Sequence, residues 1–174
     1  MKILRNFLLL LTVATLLVGC RGTGRGTPDY RMEPFCAEVR WERDGVTVYA
    51  ETETAWEDGV LTLSSLRLLS PPSLSGIEVT RENGKLVLVR EGICMTASGA
   101  EEWWETASLL CAVGELHYVC DTEWEGLSLE YAEIGDGTRV VEVLRAPNTG
   151  IPKRIAEGAR ALTVIRFEPI TARE

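Results

Sequence analysis

Pairs of residues typical of tight turns recur along this chain, and they constrain its fold more than any other feature. The pairs are Asp44-Gly45, Asp58-Gly59, Asn83-Gly84, Glu91-Gly92, Glu125-Gly126, Asp136-Gly137 and Glu157-Gly158. Asn-Gly and Asp-Gly supply the positive backbone φ angles that two-residue hairpin turns require. Between the pairs lie runs in which apolar and polar residues alternate, as in residues 46–54 and 127–131. Because hairpins join neighbouring strands, the pattern predicts about eleven strands in an antiparallel sheet.

The alternation also predicts how this sheet is covered. Most runs indicate one covered face and one face in contact with water. Residues 86–89 and 161–167 are apolar at all or most positions, so these two strands are expected to be covered on both faces. Within residues 60–69, one pair of leucines is out of phase with the next pair and two serines separate them, which indicates a β-bulge.

One segment departs from the strand pattern and predicts a helix. Residues 98–101 (SGAE) match a capping box, and Gly114 can end the helix. The positions at helical spacing are Ala100, Trp103, Trp104, Ala107, Leu110 and Cys111. We therefore expect a single amphipathic helix of about three to four turns packed on the sheet. Trp103 and Trp104 either anchor it in the core or line a ligand site.

The N-terminal residues have the organisation of a secretory signal. Lys2 and Arg5 are positive, residues 7–18 are apolar, and Arg21 follows at once. A membrane span needs about 20 apolar residues, more than this stretch has. Residues 17–20 (LVGC) resemble the lipobox of bacterial lipoproteins, in which cleavage falls before the cysteine and its thiol carries diacylglycerol. An ordinary signal peptide, or a membrane-spanning helix with an incidental cysteine, is the alternative.

The lipobox resemblance divides the chain into three parts. It implies that residues 1–19 are a signal peptide and that residues 20–33 are the lipidated Cys20 with a Gly-, Thr- and Arg-rich flexible tether. Residues 34–174 form a single β-rich domain, long enough for a core of its own. The resemblance implies anchoring at the extracytoplasmic face of the cell membrane, through acyl chains such as palmitate.

The charge of the chain limits its partners. Residues 20–174 keep all 26 acidic residues and lose Lys2 and Arg5 from the 18 basic ones, which leaves a net charge of −10. Such a domain is repelled by phosphate backbones, so nucleic acid is not expected as a partner. The lipid alone must then hold the protein to the membrane, and at about 0.8 kcal/mol per buried methylene two acyl chains suffice.

Four cysteines remain beside Cys20, and the sequence leaves their state open. An even number outside the cytoplasm permits disulfides, in any of three connectivities. Burial as small apolar side chains is the alternative. The four are Cys36, Cys94, Cys111 and Cys120.

Residues that carry catalytic or metal chemistry are scarce in this sequence. The single histidine, His117, lies on a predicted strand, on the opposite face from Cys120, and no G-x-S-x-G motif occurs. His117 with Cys111 and Cys120 lacks the paired spacing of zinc sites. No phosphate or dinucleotide loop occurs, so no cofactor is expected and the protein is predicted not to be an enzyme. Several carboxylates are expected on solvated polar faces: Glu51, Glu53, Glu101, Glu102 and Glu130.

Two segments resemble known lipoproteins. Residues 76–88 (GIEVTRENGKLVL), followed by Gly92-Ile93, are similar to a hairpin-and-strand signature of small lipoproteins of spore-forming bacteria. Residues 149–155 (TGIPKRI) resemble the T-G-x-P-x-x-I turn and strand of the lipoprotein carriers LolA and LolB. The resemblance implies a mainly antiparallel α+β fold, a half-open barrel or strongly curved sheet of eleven strands with an apolar concave face.

Two functions follow from the resemblance. In the first, the concave face holds an acyl chain or another hydrophobic ligand, with the Trp103/Trp104 helix as a lid. The residues expected on this face are Val48, Leu61, Leu63, Leu86, Leu88, Leu129 and Tyr131. In the second, that face is filled by its own side chains and the exterior docks an envelope protein, as in lipoproteins of spore germination.

Overall fold

The computed structural model describes residues 26–95, 100–135 and 139–170. The strands are β1 (Phe35–Arg43), β2 (Val46–Glu57), β3 (Val60–Ser70), β4 (Glu78–Glu82), β5 (Lys85–Arg90), β6 (Ile93–Met95), β7 (Glu115–Trp124), β8 (Leu127–Gly135), β9 (Val140–Arg145), β10 (Pro152–Glu157) and β11 (Arg160–Pro169). Helix α1 (Ala100–Ala107) continues as a 3₁₀ helix (Ser108–Cys111), and a second 3₁₀ turn spans Tyr30–Met32.

All eleven strands belong to one antiparallel sheet, as the turn pattern predicted. Their order is β6-β5-β4-β3-β2-β1-β11-β10-β9-β8-β7. Two meanders, β1–β6 and β7–β11, are therefore joined by the pairing of the first strand with the last. The sheet is curved. Within the described residues β6 and β7 each pair on one side only, so it is also unclosed. The predicted fold class is confirmed.

The hairpin turns have the backbone that their sequences require. At Asp44-Gly45 the φ angles are 48° and 75°, and four further predicted pairs share positive values at both positions. The last hairpin differs by one residue, because Glu157 pairs with Arg160 and the turn is Gly158-Ala159. The pair at residues 136–137 lies outside the described residues.

The predicted bulge in β3 is confirmed. Thr54 pairs with Leu63 and Glu53 pairs with Ser65, so Ser64 is an extra residue opposite β2. The extra residue reverses the phase of the strand, and it lets Leu61 and Leu63 face the same side as the two later leucines. All four leucines are buried.

The helix defines two faces of the sheet. Helix α1 contacts β3, β5 and β11, and the 3₁₀ helix that follows contacts β3 and β10. We call this covered side the inner face and the other the outer face. Trp104, Ala107 and Leu110 are buried in the core between helix and sheet, and Trp103 is partly buried against it. The twelve residues from Ala100 to Cys111 match the predicted length, whereas Ser98 and Gly99 lie outside the described residues.

The expectation that two strands are covered on both faces is wrong. In β5 only Leu88 is buried, and Val87 and Val89 on the other side are half-buried. In β11 Val164 is buried but Ile165 is exposed. The described helix packs on the inner face alone, so outward side chains receive only the cover that neighbouring strands provide.

The N-terminal segment packs against the domain, although residues 20–33 were expected to be a flexible tether. Tyr30 is buried, with its ring edge-on to Phe35 at 5.9 Å and to Phe167 at 6.2 Å between centroids. We call residues 27–32 the strap. The sequence predicted a tether because this segment has few apolar residues and many small ones. That composition does not show that a single aromatic side chain, Tyr30, packs into the core.

Candidate functional site

A hollow of about 1020 Å³ lies beside the helix on the inner face. We call it the helix groove. One wall is the helical segment and the residues that follow it, and the other is formed by β8, β9 and the β10–β11 turn. Its apolar lining is Trp104, Leu109, Ala112, Val113, Ile134 and Val141. A hollow of this size, lined by apolar side chains together with charged ones, can accept a hydrophobic molecule.

Charged side chains form the rim of the helix groove. Arg160 reaches Glu105 and Glu157, each at 2.6 Å. The Nε atom of Arg139 donates to the same Glu157 at 2.6 Å. These pairs join the helix, the β10–β11 turn and the start of β9. Exposed ion pairs contribute little to stability, about 0–1 kcal/mol each, so the network serves mainly to shape the rim.

A further guanidinium lies at the helix side of the groove. The Cζ atom of Arg81, on β4, stands 5.5 Å from the ring centroid of Trp104. A cation over an aromatic face is attracted by the ring quadrupole, by about 0.5–1 kcal/mol at an exposed site. Arg81 therefore helps to hold the indole ring that forms part of the apolar lining.

The residues predicted for a ligand face separate into two groups. Five of them face the helix in the core: Val48, Leu61, Leu63, Leu86 and Leu88. Leu86 is partly buried, and the other four are buried. They belong to the same hydrophobic core as Trp104, with Leu86 packed against it. This part of the inner face is filled by the protein itself, and the helix groove lies next to it.

Leu129 and Tyr131 lie on the outer face. In β8 it is Glu130 and Ala132 that share the inner face with the core, and side chains alternate along a strand. The Tyr131 hydroxyl donates to Glu133 at 2.9 Å. Partial burial, followed by this hydrogen bond and nearby carboxylates, raises the pKa of Tyr131 to about 12. Neither residue shares a surface with the other five.

The inner face of β8 and β9 holds a buried ion pair instead. The Arg145 Nε atom lies 3.1 Å from Glu130 Oε2, and their side chains are 2% and 1% exposed. The strap covers this pair, with Thr27 donating to Glu130 at 2.9 Å and Arg145 donating to the Pro28 carbonyl at 3.3 Å. The expectation that Glu130 is solvated is therefore wrong, because its partner stands opposite on the next strand.

Arg31 fastens the other end of the strap beside the helix groove. Its guanidinium donates to the carbonyl of Ala112 and, at 3.1 Å, to that of Gly114. It also pairs with Asp29 at 2.7 Å. Burial by itself raises the pKa of Asp29, but the hydrogen bonds and charge of Arg31 outweigh it, so the pKa is lowered. The strap is thus fixed to the turn that carries Val113.

The outer face carries a second hollow, of about 370 Å³. Its lining is mostly charged: Glu38, Glu51, Glu53, Glu78, Glu168, Arg67 and Arg166, with Cys36 among them. Arg67 donates from Nε to Glu51 at 2.9 Å across β2 and β3. Carboxylates outnumber guanidinium groups in this lining, so the outer hollow is acidic.

All four cysteines of the domain are free thiols in the structure. Cys36, Cys94 and Cys120 are exposed, whereas Cys111 is half-buried near the helix groove. Burial raises the pKa of the Cys111 thiol to about 12. Burial and then the carboxylates of neighbouring strands raise the pKa of Cys36.

His117 is exposed on the outer face of β7, with Nε2 3.5 Å from a carboxylate oxygen of Glu115. A bulge after Tyr118 places Cys120 on this same face, not on the opposite one as expected. In the part of the chain that the structure describes, no three His, Cys, Asp or Glu side chains are grouped so as to hold a metal ion. Nor does that part contain a helix long and apolar enough to cross a membrane.

Comparison with known proteins finds similarity in structure. No family model matches it, and no curated protein matches its sequence. One similar structure is an uncharacterized conserved protein from Thermus thermophilus, with 11% identity, 83% of each chain covered and a TM-score of 0.48.

Two further solved structures are similar to this chain. One is the MucA/MucB complex of Pseudomonas aeruginosa, with 18% identity, 83% of this chain and 54% of that chain covered, and a TM-score of 0.44. Our chain thus spans about half the length of the chain it matches there. The other is a putative outer membrane lipoprotein-sorting protein domain from Vibrio parahaemolyticus, with 9% identity, 85% and 89% covered, and a TM-score of 0.43. At these values the similarities concern the fold alone.

Proposed function

We propose that this chain is a lipoprotein held at the extracytoplasmic face of the cell membrane by lipid on Cys20. Its domain binds a hydrophobic ligand, such as an acyl chain, and its role is binding and not catalysis. The observation that carries the proposal is the helix groove, a hollow of about 1020 Å³ in which apolar side chains line the wall and charged ones form the rim.

The groove is favoured over the filled part of the inner face for a physical reason. A ligand placed among Leu61, Leu63 and Leu88 would have to displace buried side chains, each of which contributes about 1.5–3 kcal/mol by its burial. In the helix groove an acyl chain displaces only solvent, and it gains about 0.8 kcal/mol for each buried methylene. Of the residues predicted from the sequence, Trp104 lines this groove.

Filling the groove tests the proposal. Ala159 is exposed in the β10–β11 turn and lines the groove, so Ala159→Trp narrows it without entering the core. Val60 is exposed in the β2–β3 hairpin, away from the groove lining, and Val60→Trp is the matched control. We expect a fluorescent fatty acid to bind the domain and the control, and to bind Ala159→Trp much more weakly. Equal binding by both variants, or none by the unsubstituted domain, contradicts the proposal.

A partner protein is the second candidate, favoured by the open edge of the sheet. Strand β7 runs for ten residues and pairs with β8 alone in the described structure. An unpaired edge can add a strand from another chain. The acidic side chains of β7 at Glu115, Asp121 and Glu123 favour a basic segment. This is the regulatory, partner-binding role that similarity to lipoproteins of spore-forming bacteria implies.

Crosslinking in cells separates the two candidates. A photoreactive amino acid at Val119, on the β7 edge, would capture an added strand, whereas the same group at Ile165 on the outer face is the control. A specific protein adduct at 119 that is absent at 165 supports the partner role. Fatty-acid binding without any such adduct supports the ligand role alone.

A further inference from the structure

We propose that Met32 and Val113 form an apolar tip that touches the lipid bilayer beside the mouth of the helix groove. This inference rests on the proposed anchoring at Cys20. It goes beyond that anchoring, because it states which surface of the domain faces the membrane and how a ligand reaches the groove.

The tip is defined by exposure and by one contact. Val113 is 75% exposed and Met32 72%, the highest values among the large apolar side chains of the described residues. They are far apart in sequence, yet the Arg31 guanidinium donates to the carbonyls of Ala112 and Gly114, so Met32 and Val113 lie in the same region of the surface. Scattered exposed apolar residues need no explanation, but two such residues in one region beside a groove offer an apolar surface.

The length of chain between Cys20 and the strap limits where this tip can stand. Seven residue steps separate Cys20 from Thr27, and a fully extended chain covers at most about 3.6 Å per step, or about 25 Å. Thr27 is fixed to Glu130, and Arg31 is fixed to the turn that carries Val113. A lipid on Cys20 therefore keeps Thr27, and with it the strap side of the domain, within about 25 Å of the anchor.

The tip also adjoins the groove, because Val113 belongs to its apolar lining. An acyl chain that crossed water to reach the groove would lose about 0.8 kcal/mol for each methylene that leaves the bilayer. With Val113 in the interface, the chain passes from lipid to protein without that exposure. The tip thus serves as the entry side of the ligand site.

The charges around the tip specify the kind of lipid contact. Glu33 and Glu115 follow the two apolar residues closely in sequence, and the domain as a whole is acidic. Anionic head groups would repel these side chains, so the contact is made by apolar insertion into the interface and not by surface potential. Uncharged phosphatidylcholine should support it fully.

The experiment uses the lipidated full-length protein in phosphatidylcholine vesicles. An environment-sensitive fluorescent amino acid is placed at position 32, 113 or 93 in turn, and lipids with a doxyl group high on the acyl chain serve as quenchers. Ile93 is the control, because it is 65% exposed but lies on the far edge strand β6. We expect blue-shifted, quenched emission at 32 and 113, and neither change at 93.

Two readouts keep the inference separate from the anchoring on which it rests. Mass spectrometry for diacylglycerol on Cys20, and flotation with vesicles, test the anchor itself. If the protein is lipidated and floats but positions 32 and 113 behave like position 93, the tip is wrong and the anchor stands. If the protein carries no lipid and does not float, the anchoring is wrong and the tip fails with it.

Discussion

Glu130 and Arg145 form an ion pair, 3.1 Å apart, that is almost fully withdrawn from water on the inner face of the sheet. They are direct cross-strand partners in β8 and β9. The strap covers them, and its Thr27 hydroxyl supplies one of the few polar contacts available at that depth. The pair therefore connects the sheet to the N-terminal segment that leads back to Cys20.

Removing one member of this pair should destabilise the domain strongly. Arg145→Met leaves the Glu130 carboxylate buried without a countercharge, which typically costs about 3–5 kcal/mol. The double variant Glu130→Met/Arg145→Met removes both charges and should lose much less. Urea denaturation of the two variants measures the free energies of unfolding.

The control for this prediction is an exposed pair. Arg67 and Glu51 are paired on the outer face with 56% and 45% of their side chains exposed, so Arg67→Met should cost about 0–1 kcal/mol. A loss for Arg145→Met no greater than that for Arg67→Met would show that the buried pair is not important for stability.

Deleting Ser64 should unfold or severely weaken the sheet. The bulge at Ser64 sets the phase of β3, and its loss would turn Leu61 and Leu63 towards the outer face. Each leucine contributes about 1.5–3 kcal/mol by its burial. Thermal denaturation should show a large fall in Tm.

The point substitution Ser64→Ala isolates the side chain from the bulge. It removes only the hydrogen bond from the Ser64 hydroxyl to the Glu53 carbonyl, 2.9 Å long and exposed, so its effect should be small. A deletion variant as stable as Ser64→Ala would mean that the register of β3 does not depend on the extra residue.

Gly150→Ala should release the strap. Gly150 has a φ of 70°, and a Cβ atom there would stand 1.9 Å from the carbonyl oxygen of Pro28. Gly45 has a similar φ of 75° with nothing within 4 Å, so Gly45→Ala measures the backbone strain alone, about 1–2 kcal/mol. We expect Gly150→Ala to lose more stability than Gly45→Ala.

Limited trypsin digestion identifies the strap as the part affected. Cleavage after Arg31, whose guanidinium is mostly buried in the native protein, should accelerate in Gly150→Ala and stay slow in Gly45→Ala. Equal cleavage rates would mean that Pro28 does not depend on the open space at Gly150.

The thiols should differ in reactivity at pH 8. The pKa of Cys111 is raised to about 12, so at this pH the group is almost wholly a neutral thiol and alkylates slowly. Cys94 and Cys120 are exposed and should react in the native protein. Cys36 should react more slowly than these two, because its pKa is raised. Peptide mass spectrometry after iodoacetamide treatment measures the extent of alkylation at each cysteine. If the exposed cysteines took up label only after reduction, they would be in disulfides and the prediction would be wrong.

The local features of the fold could be predicted from the sequence because their causes are local. Asp44-Gly45 and its counterparts need only two residues to specify a turn, and the change of phase around Ser64 is visible within ten residues. The helix from Ala100 to Cys111 follows in the same way from its spacing of apolar side chains. These features were sufficient for the strand number, the antiparallel pairing and the fold class.

The site depends on contacts between distant residues, and there the sequence misled. Leu129 and Tyr131 alternate as an inward face should, but it is Glu130 that faces inward, where Arg145 neutralises it across the strand pair. The strap was missed because Tyr30 finds its ring partners, Phe35 and Phe167, only in the folded protein. The rim of the groove likewise joins residues more than 50 positions apart, such as Glu105 and Arg160.

Native mass spectrometry of the protein purified from cell envelopes tests whether the helix groove holds a hydrophobic ligand. We expect a bound lipid or fatty acid on the native protein and on Val60→Trp, and its loss from Ala159→Trp. A protein that leaves the envelope empty, and stays empty when vesicles are added, would contradict the account.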